Sequence, residues 1–388
     1  MKLNGKLVSS GNCVEIDITE RAAVSIRETE VVADDLWIAP ALVDIQVNGF
    51  AGYDFNAENV TSSDVGEIIR ALWRVGTGFL CPTVITGAFE RISASLRAIV
   101  AACSDPKINQ CVVGIHVEGP YISPEDGPRG AHPKEHVRKP DWDEFQRWQE
   151  IADGKICMVT LAPELEGAIP FIEKLTAHGI VTALGHTNAA QSDIDAAIKA
   201  GAQLSTHLGN AAHALIRRHP NYIWEQLAAD ELCASLIVDG HHLPPSVVKC
   251  MMRAKGLSRC VLVSDAVSLA GMPPGRYQFA GREVELTAER CVRLVGTEYL
   301  AGSAIELARG VENSVRFAQI PLEDAITLAT NHPAALFGIT DRLTVDGGQN
   351  ANLILFRWDE LTYQIDLIGT ILNGELVYWK THPDEPIS

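Results

Sequence analysis

The chain has 388 residues, 47% hydrophobic and 21% charged, with 32 Lys+Arg set against 49 Asp+Glu for a formal net charge of −17. Such a composition buries a core and excludes a disordered, collagenous or membrane-spanning chain; no run of about 18 apolar residues occurs anywhere. The acid excess repels nucleic acid and anionic lipid, so neither is expected as a partner, and a small anionic substrate stays open only where a few basic groups override the global field.

The first ten residues, MKLNGKLVSS, lack the apolar stretch of a signal peptide. The cysteines, at 13, 81, 103, 111, 157, 233, 250, 260 and 291, include no C-x-x-C and fall mostly in apolar runs such as CVLVSD and CMVTL. They read as buried thiols of a cytoplasmic protein, which argues against cysteine-held zinc. Period-two alternation predicts strands at Val14–Ile18 and Ala23–Arg27, and again in NLILF (352–356) and LIGTILNGELVYW (367–379). Together the two ends, 1–40 plus 344–388, predict one small β-sandwich domain.

Between them, residues 41–343 carry eight short apolar strand candidates: Leu42–Val47, Gly78–Ile85, Val112–Val117, Cys157–Leu161, Ile180–Leu184, Gln203–Thr206, Cys233–Val238 and Cys260–Ser264. Segments with helical spacing alternate with them, among them SSDVGEIIRALWRVG, AAQSDIDAAIKAG and PPSVVKCMMRAKG; Ser62 is a candidate cap and Pro244-Pro245 a helix start. Eight strand–helix units with continuously apolar strands predict an α/β fold, a TIM-like (β/α)8 barrel. A doubly wound open sheet shares the local pattern.

Polar residues gather at the C-terminal ends of these strands, where barrel enzymes place their chemistry. The ends carry Gln46 and Asn48, Thr83, Glu118, Glu164, His186, His207, Asp239 with His241 and His242, and Asp265. Any one of these reads equally well as a hydrogen-bonded core residue. Glu118, His186, His207 and Asp265 together do not, because desolvating them unpaired is costly. One carboxylate and two imidazoles are a common ligand set for a divalent ion that activates water, and Asp265 would then serve as general base. That is the machinery for hydrolysing an amide or ester.

The blocks Gln46-Val47-Asn48-Gly49, His116-Val117-Glu118-Gly119-Pro120, Gly185-His186-Thr187-Asn188-Ala189, Thr206-His207-Leu208 with Asn210-Ala211, Ser264-Asp265-Ala266, Leu300-Ala301-Gly302-Ser303 and Asn331-His332-Pro333-Ala334 resemble, in order, those of the N-acetylglucosamine-6-phosphate deacetylase family in the amidohydrolase superfamily. The resemblance implies Glu118, His186 and His207 as ligands of a divalent metal and Asp265 as the acid/base. Zinc is expected first, with iron, manganese or cobalt as alternatives. It further implies that His132 orients the acetyl carbonyl, and that Ala131, Asn210, Ala211, His242 and Leu300 contact substrate. Arg218 would reach the sugar phosphate of the neighbouring site in a homodimer. Deacetylation of N-acetylglucosamine 6-phosphate is the expected reaction; the alternative is another N-acyl amine or a cyclic amide.

Departures from the family pattern bear on these expectations. Where the superfamily often has His-x-His, this chain has Gln46 and Asn48, which points to one metal per subunit and to hydrogen bonding at the barrel mouth. Gly209 replaces a more usual aromatic, two arginines (Arg217, Arg218) stand where one is usual, and Ile223 and Trp224 are atypical. His213 and His219 read as loop residues, His136, His178 and His382 as surface residues, and His332 as a helix-start residue. His241 could exchange roles with His242. Gly127-Pro128-Arg129-Gly130 is either a lid or a long loop, and 275–295 reads as an inserted β-hairpin.

Overall fold

The computed structural model of the protein describes residues 1–18, 24–30, 35–279, 282–297, 300–343, 345 and 351–380. Ala23, His382 and residue 344 lie outside the described residues. Eight parallel strands follow one another around a barrel in chain order: Leu42–Val47, Thr77–Ile85, Ile115–Glu118, Ile156–Leu161, Val181–Leu184, Leu204–Ser205, Cys233–Ile237 and Cys260–Val263. Every candidate strand is present. Their continuous hydrophobicity has a physical cause: they face packed side chains within the barrel and helices outside it, so nearly every residue is buried. The third begins at Ile115 because Val112 makes only an isolated bridge to Leu80.

The first and eighth strands close the barrel through single contacts instead of a full ladder. Asp265 N donates to Gln46 O (2.9 Å), Asn48 N to Ala266 O (2.8 Å), and Ser264 N to the side chain of buried Asp44 (3.2 Å). Helices cover the outside. On Ser62–Trp73 the cap is Thr61, not Ser62: Asp64 N donates to Thr61 Oγ1 and Thr61 N to Asp64 Oδ2, a capping box that satisfies both orphan donors. Pro245 opens Pro245–Lys255, as its fixed φ favours.

A seven-stranded mixed sheet joins the two ends of the chain. Its order is Glu375–Trp379, Gln364–Leu372, Leu353–Asp359, Trp37–Pro40, Lys2–Leu7, Cys13–Ile18 and Val24–Glu28. Trp37–Pro40 is the seam, parallel to Lys2–Leu7 and antiparallel to Leu353–Asp359. Alternation serves two cores at once: Leu353 and Leu355 pack into the sheet's own cluster with Leu7, Ile16 and Ile38, while Ile354 and Phe356 join the barrel cluster. Four strands, Gly275–Phe279, Arg282–Leu286, Cys291–Leu294 and Leu300–Ser303, form an antiparallel sheet. The expected hairpin is thus only part of a larger insertion, which returns to the barrel through the bridge of Ser303 to Ala266. Among the described residues no helix is long and apolar enough to cross a membrane.

Candidate active site

Glu118 ends the third barrel strand, and His186 and His207 lie two residues past the fifth and sixth. All three are buried, and they are the one group among the described residues able to share a metal ion. Glu118 Oε1 lies 3.2 Å from His186 Nε2 and 3.1 Å from His207 Nε2, and the two nitrogens are 3.1 Å apart. Donors about 2.0–2.1 Å from one tetrahedral ion stand roughly 3.3 Å from each other, so this triangle fits such an ion. The polarity fits too. His186 Nδ1 donates to Pro128 O (2.9 Å), which leaves the Nε2 lone pair facing inward. His207 is held through its backbone, whose N–H donates to Ser235 Oγ (2.7 Å); its own Nδ1 is buried without a hydrogen bond. Burial opposes ionisation of Glu118, yet hydrogen bonds and positive charge from the two imidazoles, where protons stand in for a metal on their inward nitrogens, hold the carboxyl well below its ordinary range. Lone pairs of one carboxylate and two imidazoles converging in this way repel unless a positive charge lies among them.

Gln46 and Asn48 spend their amide nitrogens on the two carboxylates. Gln46 Nε2 donates to Glu118 Oε1 (2.8 Å) and Asn48 Nδ2 to Asp265 Oδ1 (2.7 Å). An amide NH2 has no lone pair for a metal; both residues make hydrogen bonds at the barrel mouth, the role expected of them, and the structure adds that their partners are the two carboxylates. Burial, seconded by the charge of Glu118, pushes Asp265 up to about 6, against the pull of His207, His242 and Asn48. His132 is buried with its ring centre 4.3 Å from that of His186 and its Nδ1 2.7 Å from Thr86 Oγ1. Burial, and then His186, push this imidazole down to about 3, so it is neutral. His186, His207, Ala211 and Asp265 all have positive φ (52°, 30°, 47° and 47°). Such conformations cost non-glycine residues on the order of 1–3 kcal/mol each and concentrate where a side chain must be aimed.

The residues expected around the sugar and phosphate divide in the structure. His241 N and His242 N both donate to Asp239 Oδ1 (2.8 and 2.7 Å), and His242 Nδ1 donates to Asp239 Oδ2 (2.6 Å). Burial works against the Asp239 charge, but these bonds prevail and keep the carboxyl below its usual range. His241 is committed elsewhere, donating from Nε2 to Glu289 O of the 275–303 insertion (3.0 Å). That separates the two histidines: His242 keeps Nε2 for a ligand. Asn210 Nδ2 donates to His207 O (3.1 Å), and Ala211 packs close to Gly130, one residue before Ala131. Leu300 begins the strand that returns to the barrel. Arg217 and Arg218 are exposed and form no ion pair among the described residues; each lends only its backbone carbonyl to Asn221 Nδ2. His213 bonds Tyr222 OH (3.0 Å) and Glu125 (3.3 Å), outside the ligand triangle.

Residues 123–132 are seated in place by more than their ends. Ser123 N donates to His186 O (2.9 Å), and Gly130 lies against the His186 ring, where a Cβ would stand 3.4 Å from Cε1. At Gly127 (φ 101°) a Cβ would come within 2.9 Å of His213 Cα, so only glycine fits. Thr86 and the Pro128 carbonyl were not found from the sequence. Thr86 stands just past the second strand and carried the same strand-end signal as Glu118; a backbone carbonyl carries none.

The chain is similar to several known proteins. The N-acetylglucosamine-6-phosphate deacetylase of Bacillus subtilis (strain 168) is 32% identical over 363 residues, 92% of this chain and 89% of the relative. The N-acetylgalactosamine-6-phosphate deacetylase of Escherichia coli O157:H7 is also 32% identical, over 319 residues and 82% of each chain. A mutant N-acetyl-D-glucosamine-6-phosphate deacetylase from Mycobacterium smegmatis, solved in complex with N-acetyl-D-glucosamine-6-phosphate, superposes with a TM-score of 0.84 at 26% identity, covering 97% of this chain and 99% of that one. With residues 37–377 also matching the family model, the chain belongs to the amidohydrolase family.

Proposed function

We propose that the protein is a metal-dependent hydrolase that removes acetate from N-acetylglucosamine 6-phosphate and leaves glucosamine 6-phosphate. The observation that carries the reading is the convergence of Glu118, His186 and His207 within 3.2 Å of one another, beside a half-buried Asp265 with a raised pKa. Relatives of this overall length acting on amino sugar phosphates support the substrate class. One divalent cation per subunit, zinc before iron, manganese or cobalt, would be held by Glu118, His186 and His207, polarising the acetamide carbonyl and acidifying water. Asp265 takes a proton from the attacking water and returns it to the departing nitrogen, a double duty suited to a group near neutrality. With Thr86 donating to Nδ1, neutral His132 offers its Nε2–H to the acetyl oxygen. His242 and the backbone about Asn210 and Ala211 receive the phosphate, with Ala131 and Leu300 against the sugar. Arg218 completes the anion site of the neighbouring subunit in a homodimer, its guanidinium suited to bidentate phosphate contact.

The division into 1–40 plus 344–388 and 41–343 belongs to the same reading. So does a cytoplasmic location, supported by nine cysteines that are all free. A second substrate, the galactosamine epimer, is favoured by the E. coli relative. The test is acetate release by the metal-reconstituted chain from N-acetylglucosamine 6-phosphate, N-acetylgalactosamine 6-phosphate and unphosphorylated N-acetylglucosamine. Faster turnover of the first than of either other is expected. No acetate from any of the three at micromolar enzyme defeats the proposal.

A further inference from the structure

Directly under the ligand triangle runs a chain of buried hydrogen bonds that the chemistry above leaves unused. Thr206 Oγ1 lies 2.7 Å from Thr160 Oγ1, which lies 2.8 Å from His116 Nε2. The far side of the His116 ring bonds the backbone of Ile45, with Thr83 Oγ1 3.4 Å from Nδ1. One polarity satisfies every member. Thr206 donates to Thr160, Thr160 donates to Nε2, and Nδ1–H is left for the Ile45 carbonyl. Thr83 in turn donates to Cys81 O (3.2 Å) and accepts from Val47 N (3.0 Å), so the row reaches the first barrel strand.

The row crosses the fifth strand without a side chain from it. Gly185 stands there, and a Cβ on it would lie 2.7 Å from Thr206 Cβ and 3.0 Å from Thr160 Cγ2. Absence of that methyl is what lets the two threonines meet. Every ligand lies within two residues of this row on its own segment: His116 precedes Glu118 by two, Gly185 precedes His186, and Thr206 precedes His207. Volume alone does not explain threonine here, since valine fills the same space without burying a hydroxyl that must then be partnered.

We propose that the Thr206–Thr160–His116 row is a positioning network for the metal ligands, tying the third, fourth and sixth strands so that the donor triangle keeps its spacing. The inference rests on the metal-centre reading above. These residues do not touch the cation or the substrate; they act through the segments that carry Glu118 and His207. Groups that orient ligands through a hydrogen bond commonly change metal affinity about 10- to 100-fold when removed.

The experiment is a double-mutant cycle in the full chain, with Thr160→Val, Thr206→Val and both together, and Thr160→Ser as the conservative control. Cobalt(II) affinity by chelator competition and the cobalt d–d spectrum are measured, with thermal unfolding of the metal-free proteins alongside. Each valine variant is expected to bind cobalt about tenfold or more weakly; Thr160→Val removes both bonds of the row and Thr206→Val only the one they share, so the double variant should be little worse than Thr160→Val alone. Thr160→Ser is expected to restore parental affinity and spectrum. A merely structural role would lower the unfolding temperature of the metal-free chain and leave cobalt binding alone. Parental affinity in both valine variants, or losses that simply add, overturns the network. A parent chain that binds no cobalt sinks the metal-centre reading itself, which separates the two failures.

Discussion

A carboxylate that must accept a proton from water and surrender it to an amine works best with a pKa near that of the medium. Asp265 is pushed to about 6 by burial and by the neighbouring Glu118, while Asn48 fixes one of its oxygens. Asp265→Asn keeps the shape and the hydrogen-bonding capacity but not the basicity. The expected result is a fall in kcat of about 100- to 10,000-fold with bound metal unchanged, read by acetate release and elemental analysis. Turnover within threefold of the parent would remove Asp265 from the mechanism. At this scale the sequence was informative wherever the relevant group was a side chain at a strand end, because a carboxylate or imidazole there must find a partner. It was silent about conformation and backbone: Pro128 supplies a carbonyl to His186, and the φ of 47° at Ala211, a residue named through the family resemblance, has no signature in an alanine side chain.

Among the elements, the barrel strands were legible because burial on both faces makes them uniformly apolar, and the cause is the same for all eight. Lys2–Leu7 and Trp37–Pro40 escaped notice for identifiable reasons. The first places Gly5 at an inward position, where a Cβ would lie 2.9 Å from Leu36 O, so its alternation is broken by a glycine. The second is four residues long and ends in proline. The seam between first and eighth strands carries its own prediction. Asp44 is fully buried there, accepts from Ser264 N and Gln46 N, and burial raises it from an ordinary 3.8 to about 7. Since the folded-state value is the higher, the unfolded chain releases its proton first. The stabilisation from neutral Asp44 is therefore complete below about pH 4 and lost as pH rises to about 7, an effect on the order of 4 kcal/mol. Asp44→Asn keeps an acceptor for both backbone N–H groups and does not titrate. Urea unfolding at pH 4.5 and 7.5 should show the parent losing several kcal/mol more than the variant on going to the higher pH. Equal losses would contradict a neutral Asp44.

At the scale of the whole molecule the difficulty is charge, because a chain of net −17 must hold a phosphate ester. Within one subunit His242 is the basic side chain best placed, and Arg217 and Arg218 project from a segment that also exposes Leu215 (94%), Ile216 (36%) and Trp224 (53%). On the homodimer reading proposed above, these bared apolar side chains and unpaired guanidiniums would lie on the surface that a second copy covers, with its arginine carried to the site opposite. If Arg218 works across the interface, a subunit with Arg218→Ala still owns an intact Asp265, and a subunit with Asp265→Asn still lends its Arg218. Assayed at substrate far below KM, where Arg218→Ala is strongly impaired, mixing the two variants in equal amounts and allowing subunits to exchange should then restore about a quarter of the parental activity, because half the dimers are mixed and each holds one complete site. Arg218→Ala alone should raise KM for the phosphorylated substrate about tenfold or more while leaving the unphosphorylated sugar unaffected, as expected for loss of a charge-assisted contact. Sedimentation as a monomer, or no recovery on mixing exchanged subunits, would confine the phosphate site to a single chain.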